Sequence, residues 1–128
     1  MMRGSLISLK AHNHGFMNTA RVEQLQKMLK AEPTDAFLQH ALAMEYSSGS
    51  EHQKAIEMLA NLLSAQPDYL ASYYQLGQLF EKFNEISTAK DTYRKGIDIA
   101  IKQKNRKALA ELREARSEEH TSELQSRL

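Results

Sequence analysis

The side chains able to do chemistry in this sequence are few and scattered. His40 is the first candidate for a general base, because imidazole titrates near neutral pH. A base needs a nucleophile or a positioned acid beside it, and nothing on the helical stripe of His40 forms such a set. His12 and His14, one residue apart, have the spacing of two metal ligands on an extended strand but lack a third. The chain has no cysteine, which excludes disulfides, thiolate zinc sites and a thiol nucleophile. No catalysis, no metal and no cofactor are expected. A third chemistry is anion binding. Lys102, Lys104, Arg106 and Lys107 form a basic cluster, preceded by Lys90, Arg94 and Lys95, and such a patch could meet phosphate or an acidic partner. Cations at the end of a long helix also complement its negative dipole end. No aromatics are interleaved for base stacking, and residues 17–115 carry 13 basic and 13 acidic side chains. Nucleic acid is not an expected partner.

These residues must be positioned by a chain of 128 residues, which is room for one domain. A hydrophobic content of 41% with two prolines and five glycines suits a folded, mostly helical protein. No apolar run approaches the roughly 20 residues that span a bilayer, and Leu6-Ile7-Ser8-Leu9 is too short for a signal-peptide core. No membrane association is expected, and the cytoplasm is the expected compartment.

Helical spacing begins at residue 18. Asn18 or Thr19 can cap a helix over 18–31, with Val22, Leu25, Met28 and Leu29 recurring behind it. Leu25 and Met28 are expected at packing positions, and Pro33 ends the helix. Asp35 caps a helix to about Ser48, with Leu38, Ala41, Leu42 and Tyr46 facing inward. A turn at Ser47–Ser50 leads to a helix over 51–65 that buries Ala55, Ile56, Leu59, Leu62 and Leu63. Pro67-Asp68 is expected to stop that helix and cap the next. A second pair follows over 69–83 and 85–102, with Asn84 at its turn. After a break near 103–105, Asn105 caps a helix over 106–115 with Ala108, Leu109 and Leu112 on one face.

A shift of 34 residues superimposes Pro33 on Pro67, Leu42 on Leu76, Tyr46 on Phe80, Ala55 on Ala89 and Leu59 on Tyr93. Self-similarity at such a period marks stacked helical hairpins. Ala43, Gly77, Ala55 and Ala89 are small where two helices of a hairpin approach closely. The second copy, Tyr73-x-x-Leu76-Gly77-x-x-Phe80 followed by Ala89-x-x-x-Tyr93, resembles the tetratricopeptide repeat. The first copy departs from it, with Gln39 in place of a large aromatic and Ala43 in place of glycine. Arg21 also stands where an alanine is usual.

The resemblance covers residues 18–115: a half repeat over 18–31, repeats over 35–66 and 69–102, and a capping helix over 106–115. It implies an all-α fold of tandem antiparallel helical hairpins, about six helices in a superhelix, like small free-standing bacterial members. The implied function is a protein- or peptide-binding adaptor. The alternative is a structural, self-associating homodimer that pairs through its terminal helices. In this family the first helix of each hairpin lines a concave, partner-binding surface. By position that surface takes Phe37, His40, Met44 and Ser48 from the first copy, and Ala71, Tyr74, Gln78, Glu81 and Lys82 from the second. One branch grips chaperone-tail carboxylates with lysine and asparagine. His40, Met44, Tyr74 and Gln78 occupy those positions here, so that clamp is absent.

Two segments flank this region. Residues 1–16 show no period and are expected to be unstructured, either an upstream extension ahead of a start at Met17 or a flexible arm. Residues 116–126, Arg-Ser-Glu-Glu-His-Thr-Ser-Glu-Leu-Gln-Ser, resemble the in-frame translation of a sequencing-library adapter, so 116–128 is expected to be non-native. Mass spectrometry of the protein from its source cell should therefore lack a peptide spanning 116–126. Finding that peptide would make the tail native.

Overall fold

Short polar side chains begin three of the helices by accepting a backbone N–H from the first turn. Asn18 accepts from Arg21, Asp35 from Leu38 and Asn105 from Ala108, each at 3.0 Å. The computed structural model describes residues 17–126, with side-chain environments as far as Ser117. Among these residues there are six helices and no strand: α1 (Thr19–Ala31), α2 (Ala36–Ser48), α3 (His52–Ala65), α4 (Ala71–Lys82), α5 (Ile86–Gln103) and α6 (Arg106–Ser126). The expectation for residues 1–16, with the His12–His14 pair, lies outside the described residues. Helix α6 continues past the expected end at 115.

The start of α4 differs from the expectation for Asp68. Leu70 already has helical backbone angles and no side chain caps the helix. Instead Tyr69 donates its N–H to Gln66, Ser72 to Tyr69 and Tyr73 to Leu70. Tight turns through 66–73 use the N–H groups that a capping side chain would otherwise take.

The three hairpin turns share one geometry. Ser50, Asn84 and Lys104 have φ of 67°, 59° and 58°. The following residues, Glu51, Glu85 and Asn105, donate back to the carbonyls of Tyr46, Phe80 and Ala100 at 2.8, 2.9 and 3.0 Å. These are Schellman closures, and the 34-residue frame carries the first onto the second. Each non-glycine residue in the left-handed region costs about 1–2 kcal/mol, which the recovered helix-end hydrogen bonds offset.

The described residues divide into two compact units, one up to residue 59 and one from residue 60 onward. In the first, α1 packs on α2, burying Val22, Leu25, Leu38, Leu42 and Tyr46. Met28 is 45% exposed, contrary to expectation, because the buried stripe of α1 runs through Val22 and Leu25 with Leu29 half-buried, leaving Met28 on its flank. Arg21 stays at the surface, its Nε 2.9 Å from Glu45 Oε2. Gln26 donates to the Tyr46 hydroxyl at 3.0 Å, and the Lys54 ammonium sits 4.9 Å from the centre of the same ring.

In the second unit α5 packs on both α4 and α6, and α4 also meets α6. Tyr73, Ala89, Tyr93, Ile97, Ala100, Leu112 and Ala115 form its core. The α4–α5 contact is reciprocal: Gly77 on α4 faces the Tyr93 ring, and Gly96 on α5 faces Tyr73. A methyl at Gly77 would lie 2.6 Å from Tyr93 Cζ, and one at Gly96 2.7 Å from Tyr73 Cβ. Gln39 and Tyr73 are equivalent in the 34-residue frame and do the same work. Gln39 Nε2 donates to the Pro33 carbonyl and the Tyr73 hydroxyl to that of Pro67, both at 2.7 Å.

Gly77→Ala tests this contact. Helix propensity favours alanine by about 1 kcal/mol, but overpacking against a fully buried ring typically costs about 1–3 kcal/mol. We expect a net loss of about 1–2 kcal/mol in unfolding free energy by denaturant titration. A gain in stability would mean that the two helices do not meet at Gly77.

Candidate functional site

Helix α4 turns one face to the core through Tyr73, Leu76, Gly77 and Leu79 and leaves another outside it. On that second face Ala71 is exposed and Tyr74, Gln75 and Gln78 are half-buried. Ala71, Tyr74 and Gln75 line a cleft of about 300 Å³ together with Leu70 and, from the start of α6, Asn105, Lys107, Ala108, Glu111 and Leu112. Its floor is apolar (Leu70, Tyr74, Ala108, Leu112). Its rim carries one cation, one carboxylate and two amides, so the cleft can bury an apolar side chain while hydrogen-bonding the backbone beside it.

Tyr74 is supported from behind. Its ring centroid is 6.3 Å from that of Tyr93, with the planes inclined at 46°, a tilted aromatic pair. Tyr93 is fully buried. Its hydroxyl donates to Glu81 Oε2 at 2.8 Å and accepts from Gln78 Nε2 at 2.9 Å. Gln78 and Glu81 are thus placed at a core tyrosine, while Lys82 is exposed at the last turn of α4. Burial, and then the Asp68 carboxylate, push the Tyr73 phenol above its usual range.

The residues expected from the first copy lie on α2. Phe37 is 66% exposed, His40 and Met44 are half-buried, and Ser48 is exposed. Lys102, Lys104, Arg106 and Lys107 are all exposed. Lys104 is the left-handed residue that ends α5, and Lys107 reaches the cleft. No group of three or more His, Cys, Asp or Glu among the described residues could hold a metal ion.

Gln75, Asn105, Lys107 and Glu111 are cleft residues that the 34-residue frame does not select. A signal for them exists. Leu109-x-x-Leu112-x-x-Ala115 follows Tyr73-x-x-Leu76-x-x-Leu79 at a displacement of 36 residues. Helix α6 therefore repeats the pattern of a first helix, pushed two residues along by the longer α5.

A tetratricopeptide repeat family model matches residues 17–98. The crystal structure of a tetratricopeptide repeat domain protein from Salinibacter ruber is 33% identical, with a TM-score of 0.66, over 68% of this chain and 97% of that one. A protein from Bordetella parapertussis is 19% identical with a TM-score of 0.70, over 79% of this chain and 88% of its own. The tetratricopeptide repeat domain of Sgt2 from Aspergillus fumigatus is 18% identical with a TM-score of 0.63, over 92% and 76%. The last two are similar in fold alone. No curated protein matches the chain.

His40 supplies a pH test. Burial holds its imidazole below the ordinary value of 6.5, so the unfolded chain takes up the proton more readily than the folded one. Stability fully present above the unfolded value is then lost as the pH falls through the folded value. Between about pH 7.5 and pH 5, His40→Gln should lose less melting temperature than the unaltered chain. Equal losses would mean that His40 is not shielded from solvent.

Proposed function

The chain belongs to the tetratricopeptide repeat family, and on that premise we propose that it is a non-catalytic adaptor that holds a peptide segment of a partner protein in the cleft between α4 and α6. The cleft itself carries the reading: an apolar floor ending on a braced tyrosine, rimmed by Gln75, Asn105, Lys107 and Glu111. An apolar side chain of the peptide fills the floor against Tyr74, and the rim amides and charges read its flanking groups. Buried aromatic anchors of this kind dominate protein–peptide affinity. No helix among the described residues is long and apolar enough to cross a membrane, and the proposal includes a bacterial cytoplasmic location.

Peptides selected from a displayed library against the purified chain test the proposal. Tyr74→Ala should weaken the selected peptides by about 2 kcal/mol, roughly thirty-fold, with the far-ultraviolet circular dichroism unchanged. Lys107→Glu should shift selection toward basic flanking residues. Peptides indifferent to both changes would place recognition elsewhere. Concentration-dependent elution from a sizing column, with no peptide selected, would favour the self-associating alternative.

A further inference from the structure

Lys107 and Glu111 both line the α4–α6 cleft and are both exposed. They stand four residues apart on α6, a rise of about 6 Å along the helix. A pair at this spacing closes on itself better when the acid precedes the base than in the reverse order. On α5 the acid comes first, and the Asp91 carboxylate lies 3.9 Å from the Lys95 ammonium. On α6 the base comes first. Among the described residues Lys107 and Glu111 pair neither with each other nor with any other side chain. Lys107 also falls in the first turn of α6, where a cation opposes the helix dipole. Helix stability therefore does not account for the order or the place of these two charges.

We propose, resting on the adaptor reading above, that the cleft takes an extended peptide whose apolar anchor lies between one acidic and one basic residue. In an extended chain, residues two apart project to the same side about 6.5 Å from each other, which matches the spacing of Lys107 and Glu111 along α6. The residue between them projects the other way, toward Tyr74 on the α4 side of the cleft. An acid opposite Lys107 and a base opposite Glu111 each complete a charge pair. Two acids or two bases would complete one pair and set like charges at the other. Asn105 Oδ1 is taken up by the Ala108 N–H at 3.0 Å, so what Asn105 retains for the peptide is its Nδ2 donor, suited to a backbone carbonyl. Exposed ion pairs are modest, roughly three-fold in affinity each, so the two together amount to about ten-fold.

Chemical-shift titration of the full chain with five acetylated, amidated pentapeptides tests the inference. Their central triplets, each flanked by glycine, are Glu-Leu-Lys, Lys-Leu-Glu, Glu-Leu-Glu, Lys-Leu-Lys and Gln-Leu-Gln. The tighter of the two mixed peptides should bind about ten-fold more tightly than Gln-Leu-Gln, and that margin should shrink between about 50 mM and about 500 mM salt. Lys107→Glu should make Lys-Leu-Lys the tightest, and Glu111→Lys should make Glu-Leu-Glu the tightest. The two changes together should restore the preference for mixed peptides and reverse whichever order the unaltered chain prefers. Glu114→Lys, at an exposed position on α6 that does not line the cleft, should leave the ranking as it is. A ranking unmoved by the charge variants would overturn the inference. So would Gln-Leu-Gln binding as tightly as the mixed peptides, or no binding by any of the five. Tyr74→Ala judges the cleft separately and should weaken every peptide alike. Binding that depends on Tyr74 but ignores charge sinks the charge pattern alone, whereas binding indifferent to Tyr74 sinks the adaptor cleft.

Discussion

The second unit depends on how closely two helices can approach. Gly77 admits the Tyr93 ring and Gly96 admits Tyr73, so each helix gives the other a notch and receives a tyrosine in return. That exchange buries Tyr93 completely and sets the distance at which every other side chain between α4 and α5 must fit. Packed interiors tolerate little change in volume, so the two glycines constrain the hairpin more than any of the larger core residues. The hydroxyl of Tyr93 cannot be buried without partners. Gln78 and Glu81 supply them from the outer side of α4, which ties the core to the face that borders the cleft.

Backbone geometry repeats where side chains do not. The turns at Ser50, Asn84 and Lys104 close with the same pair of hydrogen bonds, although serine, asparagine and lysine share no chemistry that would select them. The same holds for Gln39 and Tyr73. Both reach the carbonyl of a proline six residues earlier, so the apparent defect in the first copy, a missing aromatic, preserves the hydrogen bond and gives up only the ring. What the family pattern records as conserved size is here conserved reach.

Much of the fold was legible because its determinants are local: caps at Asn18, Asp35 and Asn105, prolines at the ends of repeats, and apolar residues at helical spacing. Met28 was misplaced because periodicity reports which residues share a stripe but not how wide a stripe the neighbouring helix covers. Asp68 was misplaced because the helix begins beyond its reach, at Leu70, where tight turns rather than a side chain take up the first N–H groups. The candidate site was legible only in part. Ala71 and Tyr74 follow from the 34-residue frame, whereas Lys107 and Glu111 sit on a helix displaced by two residues from that frame, behind the longer α5. A fixed period cannot see past a change in helix length. The roles of Gln78 and Glu81 depend on a rotamer of Tyr93, which no spacing encodes.

The bracing of Tyr93 sorts the outer face of α4 into two kinds of position. Gln78 and Glu81 answer to the interior, so a substitution there is judged first by what it does to a buried hydroxyl. Gln75, together with Lys107 and Glu111 across the cleft, borders that space without holding the tyrosine. On the proposed adaptor reading, a lineage descending from this sequence is therefore free to drift at those three positions and to acquire new partners there. Drift at the other two is held back by the stability of the fold. Inheritance of the scaffold and divergence of its specificity are thus separated within a single helical turn, by the direction in which one tyrosine donates its proton.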